Sequence, residues 1–94
     1  MLNLRYSVQF KRDYKKALVR GLDPAKLIEV IRLLREEKVL PHRFKDHKLT
    51  DNRCYKDMRE CHIQPNWLLI YQIRLEELIL VLVRTGTHSD LFGK

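Results

Sequence analysis

The sequence predicts an α+β fold, with two N-terminal helices packed on a small antiparallel sheet in the order β-α-α-β-β-β. Three observations lead there. Apolar residues recur at helical spacing twice before residue 40. From residue 54 onward the pattern changes to strand-like segments. The breaks between those segments are only three residues long, which joins neighbouring strands as antiparallel hairpins.

Leu4, Tyr6 and Val8 alternate with Arg5 and Ser7, the pattern of a short first strand. Ser7 is placed to cap the next element, a helix. Phe10, Tyr14, Ala17 and Leu18 then fall on one helical face, and Lys11, Arg12, Lys15, Lys16 and Arg20 on the other. Gly21 supplies a stop. The polar face is basic apart from Asp13, which suits a surface that meets phosphate; a merely solvated face is the plainer reading. The second helix opens with Asp23 as cap and Pro24 in its first position. Leu27, Ile28, Ile31 and Leu34, widened by Val30, form its apolar stripe, which should end near Lys38, before Leu40-Pro41. A basic loop, PHRFKDHKLTDNR, comes next. Three strands are then expected over residues 54–63, 67–74 and 78–84, with turns at Gln64-Pro65-Asn66 and Leu75-Glu76-Glu77. The last of these strands contains LILVLV and should be buried.

The 94 residues set the scale: one domain, residues 1–94, with one modest core. Hydrophobic residues make up 45%, enough to fold. The formal charge of +7 favours an anionic partner, nucleic acid ahead of an acidic protein or a membrane surface. The first ten residues carry charges where a signal peptide would be apolar, and no apolar run is long enough to span a bilayer. Cys54 and Cys61 are an odd number apart. On one strand they would face opposite ways, able neither to pair nor to share a metal, so both read as packing residues in a reducing cytoplasm. No C-x-x-C or H-E-x-x-H motif is present, and no cofactor or metal is expected.

RNA cleavage through the 2′-hydroxyl needs a base, an acid for the leaving 5′-oxygen, and a cation for the charge building on phosphorus. Histidine, with an unperturbed pKa of about 6.5, suits the first two, and the arginine fork suits the third. The chain offers His47, His62 and His88 together with Arg84, and Phe92 as an aromatic contact. In an antiparallel meander His62 and Arg84 can meet at one end of the sheet, with Trp67 beginning the strand between them. Each residue also has a plainer reading. His42 beside Pro41 is a surface residue. His47 caps its loop, His62 lies at a sheet edge, and Trp67 packs in the core. Arg84 pairs with a surface acid and contributes little, and Phe92 staples the tail.

FKDHKL, RECHIQPNWLLIY and RTGTHSDLFG carry a resemblance that covers nearly the whole chain. The sequence resembles YafQ-type toxins of the RelE/ParE superfamily of bacterial toxin–antitoxin systems. The resemblance implies a small antiparallel sheet against two helices. It implies a ribosome-dependent endoribonuclease, an mRNA interferase, that cuts messenger RNA in the A site of the small ribosomal subunit and halts translation. It implies an antitoxin of the DinJ/RelB kind as partner, and operator DNA contacted through the toxin–antitoxin complex. His88 becomes the leading acid or base. His47 and His62 share proton transfer or hold the phosphate, and Arg84 stabilises the transition state. Phe92 and Trp67, with Lys45 and Arg59 from the same motifs, are the implied substrate contacts. Asn66 stands where the family's catalytic motif has aspartate; an amide can hold a hydrogen bond but cannot take a proton. The alternative is a weakened or non-enzymatic relative that acts by binding protein or DNA.

Overall fold

The computed structural model describes residues 1–50 and 54–93; the end of the predicted loop, residues 51–53, and Lys94 lie outside it. The strands are β1 (Asn3–Tyr6), β2 (His47–Lys48), β3 (Arg59–Gln64), β4 (Trp67–Arg74) and β5 (Ile79–Gly86). The helices are α1 (Val8–Val19), α2 (Pro24–Arg35) and α3 (His88–Phe92), with a 3-10 turn at His42–Phe44. The strands form one sheet in the order β1-β5-β4-β3-β2.

The α+β architecture and the β3-β4-β5 meander match the expectation. The sheet, however, is mixed. β1 runs parallel to β5, from Asn3 beside Ile79 to Tyr6 beside Leu82. Consecutive strands joined by tight turns must be antiparallel, but β1 is not joined to β5 by a turn, and nothing in its own sequence sets its direction. The strand expected over residues 54–63 starts only at Arg59; Cys54 lies in the turns before it and is exposed, whereas Cys61 is buried. Only Cys61 is therefore a packing residue, and the two do not share a strand.

The helix ends are set by local chemistry. Ser7 Oγ accepts from the Phe10 amide at 2.8 Å and donates to the Val83 carbonyl at 2.6 Å, so one side chain caps α1 and fastens it to β5. Gly21, at φ +83°, ends α1 with the Leu22 amide returned to Ala17 and the Gly21 amide to Leu18. α2 ends in the same motif with Glu37 in the left-handed position, three residues before the expected stop at Lys38. Phe10, Ala17, Leu27, Val30 and Leu34 pack on one face of the sheet against Cys61, Trp67, Leu69, Tyr71, Leu80 and Leu82. Ile28, expected in the apolar stripe, points outward; the three-four spacing of Leu27, Val30 and Leu34 carries the burial instead. Tyr55, Leu68, Ile70 and Leu91 form a second, smaller cluster beneath α3.

Asp13 shares the inward face of α1 with Phe10 and Ala17 and is 7% exposed. Its carboxylate accepts from Arg84 Nε and Nη2, both at 3.0 Å, from the Thr85 amide at 3.2 Å, and from Gln9 Nε2 at 3.0 Å. A buried carboxylate is tolerated only when its acceptor sites are filled in this way. The register explains why Arg84 is at hand. Tyr71 is opposite Leu82 and Ile70 is opposite Arg84, so Val83 is one extra residue, a bulge that re-aims Arg84 and Thr85. Asp13→Ala is expected to leave Arg84 part-buried without its partner and to cost about 3 kcal/mol, read as a lower urea midpoint at unchanged m-value.

Candidate active site

Side chains two apart on a strand share a face, and residues paired across strands do too. β3 therefore sends Arg59 and Cys61 toward the helices and Glu60 and His62 the other way. Glu60 lies between His47 of β2 and Ile70 of β4, and His62 lies beside Leu68. The Glu60 side chain is buried, with its Oε1 3.6 Å from His47 Nε2 and 3.4 Å from His62 Nε2. His47 Nδ1 is 2.8 Å from the Lys45 carbonyl; the tautomer that donates there leaves Nε2 directed at Glu60. The His62 and His88 rings are 5.9 Å apart at 63°, and the His88 and Phe92 rings 5.7 Å apart. Phe92 in turn meets Tyr55 edge-on at 5.6 Å. Three histidines and one phenylalanine expected from the sequence thus gather around a buried carboxylate that was not expected. Glu60 was legible in principle, since it is in step with His62 at a period of two. Nothing else in the sequence marks it, because a charge on an alternating strand normally points to water.

α3 carries His88 as its first residue, and RTGTH, Arg84 to His88, sets the position. Thr87 caps the helix, its Oγ1 accepting from the Asp90 amide at 3.1 Å while Asp90 Oδ2 accepts from the Thr87 amide at 3.0 Å. Asp90 is also held by Arg20 of α1 at 2.6 and 3.3 Å and lies 3.6 Å from Lys16. The Arg20 guanidinium, then the Thr87 amide, hold the Asp90 carboxyl well below the usual carboxylate range. Gly86, at φ +156°, passes so close that a Cβ there would lie 2.8 Å from Asp90 Oδ2. Tyr55 donates its hydroxyl to the Leu91 carbonyl at 2.7 Å, fixing the far end of α3.

Four expected residues stand elsewhere, and a fifth lies at the edge of the site. Trp67 is 2% exposed and donates its indole N–H to Thr85 Oγ1 at 2.8 Å, so its faces are closed to a base. Its plainer reading holds, because the indole closes the core beside Thr85. Arg59 is on the helix side of the sheet, paired with Asp46 at 3.1 Å; Asp46 also takes the Tyr71 hydroxyl. It is one residue out of step with the histidines. Arg84 belongs to the row that contains Ile70, yet its fork is taken by Asp13, with Nη1 3.5 Å from the Asp90 carbonyl. The Asp13 hydrogen bond pushes its pKa up, and Tyr55 adds to the rise. The acid it meets is buried, not the surface acid of the plainer reading. Asn66 is exposed in the β3–β4 turn and lines a cleft of about 610 Å³ with Arg84 and α1, away from the imidazoles. Lys45 is exposed on a smaller groove of about 340 Å³ shared with Arg43, His62 and Pro65.

The model of the family "Bacterial toxin of type II toxin-antitoxin system, YafQ" matches residues 2–93. The chain belongs to the YafQ toxin family. It is 40% identical to the mRNA interferase toxin YafQ of Escherichia coli strain B over 97% of this chain and 96% of that one. A putative toxin YafQ of Haemophilus influenzae is 35% identical over 95% and 90%. Among solved structures, the metal-bound toxin of Helicobacter pylori superposes with a TM-score of 0.91 at 42% identity, covering 98% of this chain and 100% of that one. The toxin in the E. coli DinJ–YafQ complex gives 0.86 at 38%, covering 99% and 100%. Among the described residues no group of three or more His, Cys, Asp or Glu side chains is arranged to hold a metal ion.

Two outcomes are expected for the frame of α3. Gly86→Ala should displace Asp90 and lower the melting temperature by several degrees, with cleavage lost in step. Because the folded Asp90 pKa is depressed, its contribution is present above about pH 4 and is lost as pH falls below that. In acid unfolding curves, Asp90→Asn should be less stable than the parent at neutral pH and should flatten the decline below pH 4.

Proposed function

We propose that this chain is the toxin of a type II toxin–antitoxin pair and cleaves messenger RNA on the ribosome. The observation that carries the reading is the array of His47 and His62 on the buried Glu60, with His88 against His62 and Phe92 against His88. One imidazole takes the proton of the 2′-hydroxyl. The 2′-oxygen then bonds to the adjacent phosphorus, the bond from phosphorus to the 5′-oxygen breaks, and a second imidazole gives that oxygen its proton. Glu60 offsets the positive charge that an imidazole gains on taking the proton. Phe92 offers a face to an unstacked base. Arg84 reaches the reacting phosphate only by exchanging part of its hold on Asp13. Holding the message in line is the ribosome's contribution, a large share of the effect.

The partner assignments rest on the E. coli relative, whose toxin is found in complex with DinJ. They are a cognate antitoxin of that kind, operator DNA through the joint complex, and a cytoplasmic setting. No helix among the described residues is long and apolar enough to cross a membrane. Two observations favour a slower enzyme or a pure binder: Asn66 brings no carboxylate, and the Arg84 fork is already taken.

Cell-free translation of a defined message, with mapping of new 5′ ends, decides between them. The parent chain should cut only when ribosomes are present. His88→Ala should fold and lose about 10²- to 10⁴-fold in rate. Glu60→Gln should also slow cleavage and move its dependence on pH through the histidine range. No cuts from a folded, antitoxin-free parent would leave the binder.

A further inference from the structure

A second cleft lies around the end of the sheet from the histidines. α1 forms one wall; the β3–β4 turn and the start of α3 form the other. Four cations, Arg12, Lys16, Arg20 and Arg84, line it with two carboxylates, Asp13 and Asp90. Both carboxylates are spent inside the fold, Asp13 on Arg84 and Asp90 on Arg20. Among the described residues Arg12 makes no hydrogen bond or ion pair, and it is exposed. Lys16 is 3.6 Å from an Asp90 oxygen that Arg20 already serves, with 60% of its side chain exposed. Four cations against two carboxylates leave the cleft a net charge of +2, and the cations least engaged inside the fold, Arg12 and Lys16, are one helical turn apart at i and i+4. Opposite them Gln64 and Asn66 present amides that donate and accept.

We propose that this cleft is a phosphate-backbone subsite for single-stranded RNA. It takes the nucleotides next to the one held by the histidines, with Arg12 and Lys16 each on a phosphate and Asn66 on the sugar or base edge. The inference builds on the nuclease reading by giving the same strand a path. Across the sheet His62 is beside Leu68, and Leu68 is beside Gly86, which lines this cleft. Two strand spacings make that about 10 Å, within reach of one or two nucleotides of extended chain. An acidic polypeptide is the competing occupant. The amides and the net positive charge suit a phosphate backbone better, and the apolar groove lined by Tyr6, Phe10, Tyr14 and Ile31 suits a polypeptide better.

The test is fluorescence anisotropy with a labelled 2′-O-methyl oligoribonucleotide, which binds without being cut, over a range of salt. Arg12→Ala/Lys16→Ala should weaken binding about tenfold and flatten the log–log salt slope by about 1.4, two phosphate contacts at 0.7 each. Arg12→Lys/Lys16→Arg should restore both, and Asn66→Asp should weaken binding several-fold. Thermal melts of each variant verify folding. Unchanged affinity and slope in the double alanine variant would overturn the subsite. So would a parent chain that does not bind the oligomer, or loss of poly-glutamate binding while RNA binding persists. Cleavage on programmed ribosomes, measured separately on the parent chain, reports on the nuclease reading alone. Cutting with no RNA deficit in the variants sinks only the cleft, and RNA binding without cutting sinks only the nuclease.

Discussion

The carboxylate of Asp13 is the joint between the helices and the end of the sheet. It ties α1 to the end of β5 through Arg84 and the Thr85 amide. Thr85 passes the constraint on, its hydroxyl taking the Trp67 indole and giving to the Leu68 carbonyl. Gly86 and Thr87 come directly after, and they fix where α3 begins and where His88 stands. A buried ion pair adds little net stability against an apolar pair of the same size. Its use here is geometric: it makes one arrangement of α1, β5 and α3 far better than its neighbours.

The second constraint is the period of two along β3. It sorts ionisable residues that are adjacent in sequence onto opposite sides. Arg59 closes a network with Asp46 and Tyr71 beside the main core, where burial and Asp46 push the Tyr71 hydroxyl pKa up and hold it protonated. Glu60 and His62 face the candidate site. One short strand thus serves as a wall of the core and a floor of the site.

The elements with strong local signals were legible in the sequence: both long helices, their caps at Ser7 and Asp23, and the hairpin turns. The direction of β1 was not, since it depends on a partner far along the chain. Nor was α3, whose five residues are held by Thr87, Asp90, Tyr55 and Arg20 and by no periodicity of their own. At the site, the histidines, Phe92 and the YafQ family were readable from motifs. Glu60 was missed because a charge on an alternating strand normally points to water. Trp67 was assigned to substrate on its motif, although its place at the start of a buried strand argued for the core. Arg84 was matched with the wrong kind of acid because a helix that looks basic hides the one carboxylate turned inward.

The parallel pairing of β1 with β5 has a kinetic consequence. Ser7 and Val83 are joined across 76 positions, and Asn3 lies beside Ile79. Loops of that length close slowly, so the helices can form well before the sheet is complete. Until β5 docks, Arg84 and Asp13 are apart, α3 has no frame, and His88 is not beside His62. The contact of His88 with His62 therefore waits on β5, whereas His47, Glu60 and His62 come together through β2 and β3 alone, and a partly folded chain carries the ingredients of the array without its full arrangement.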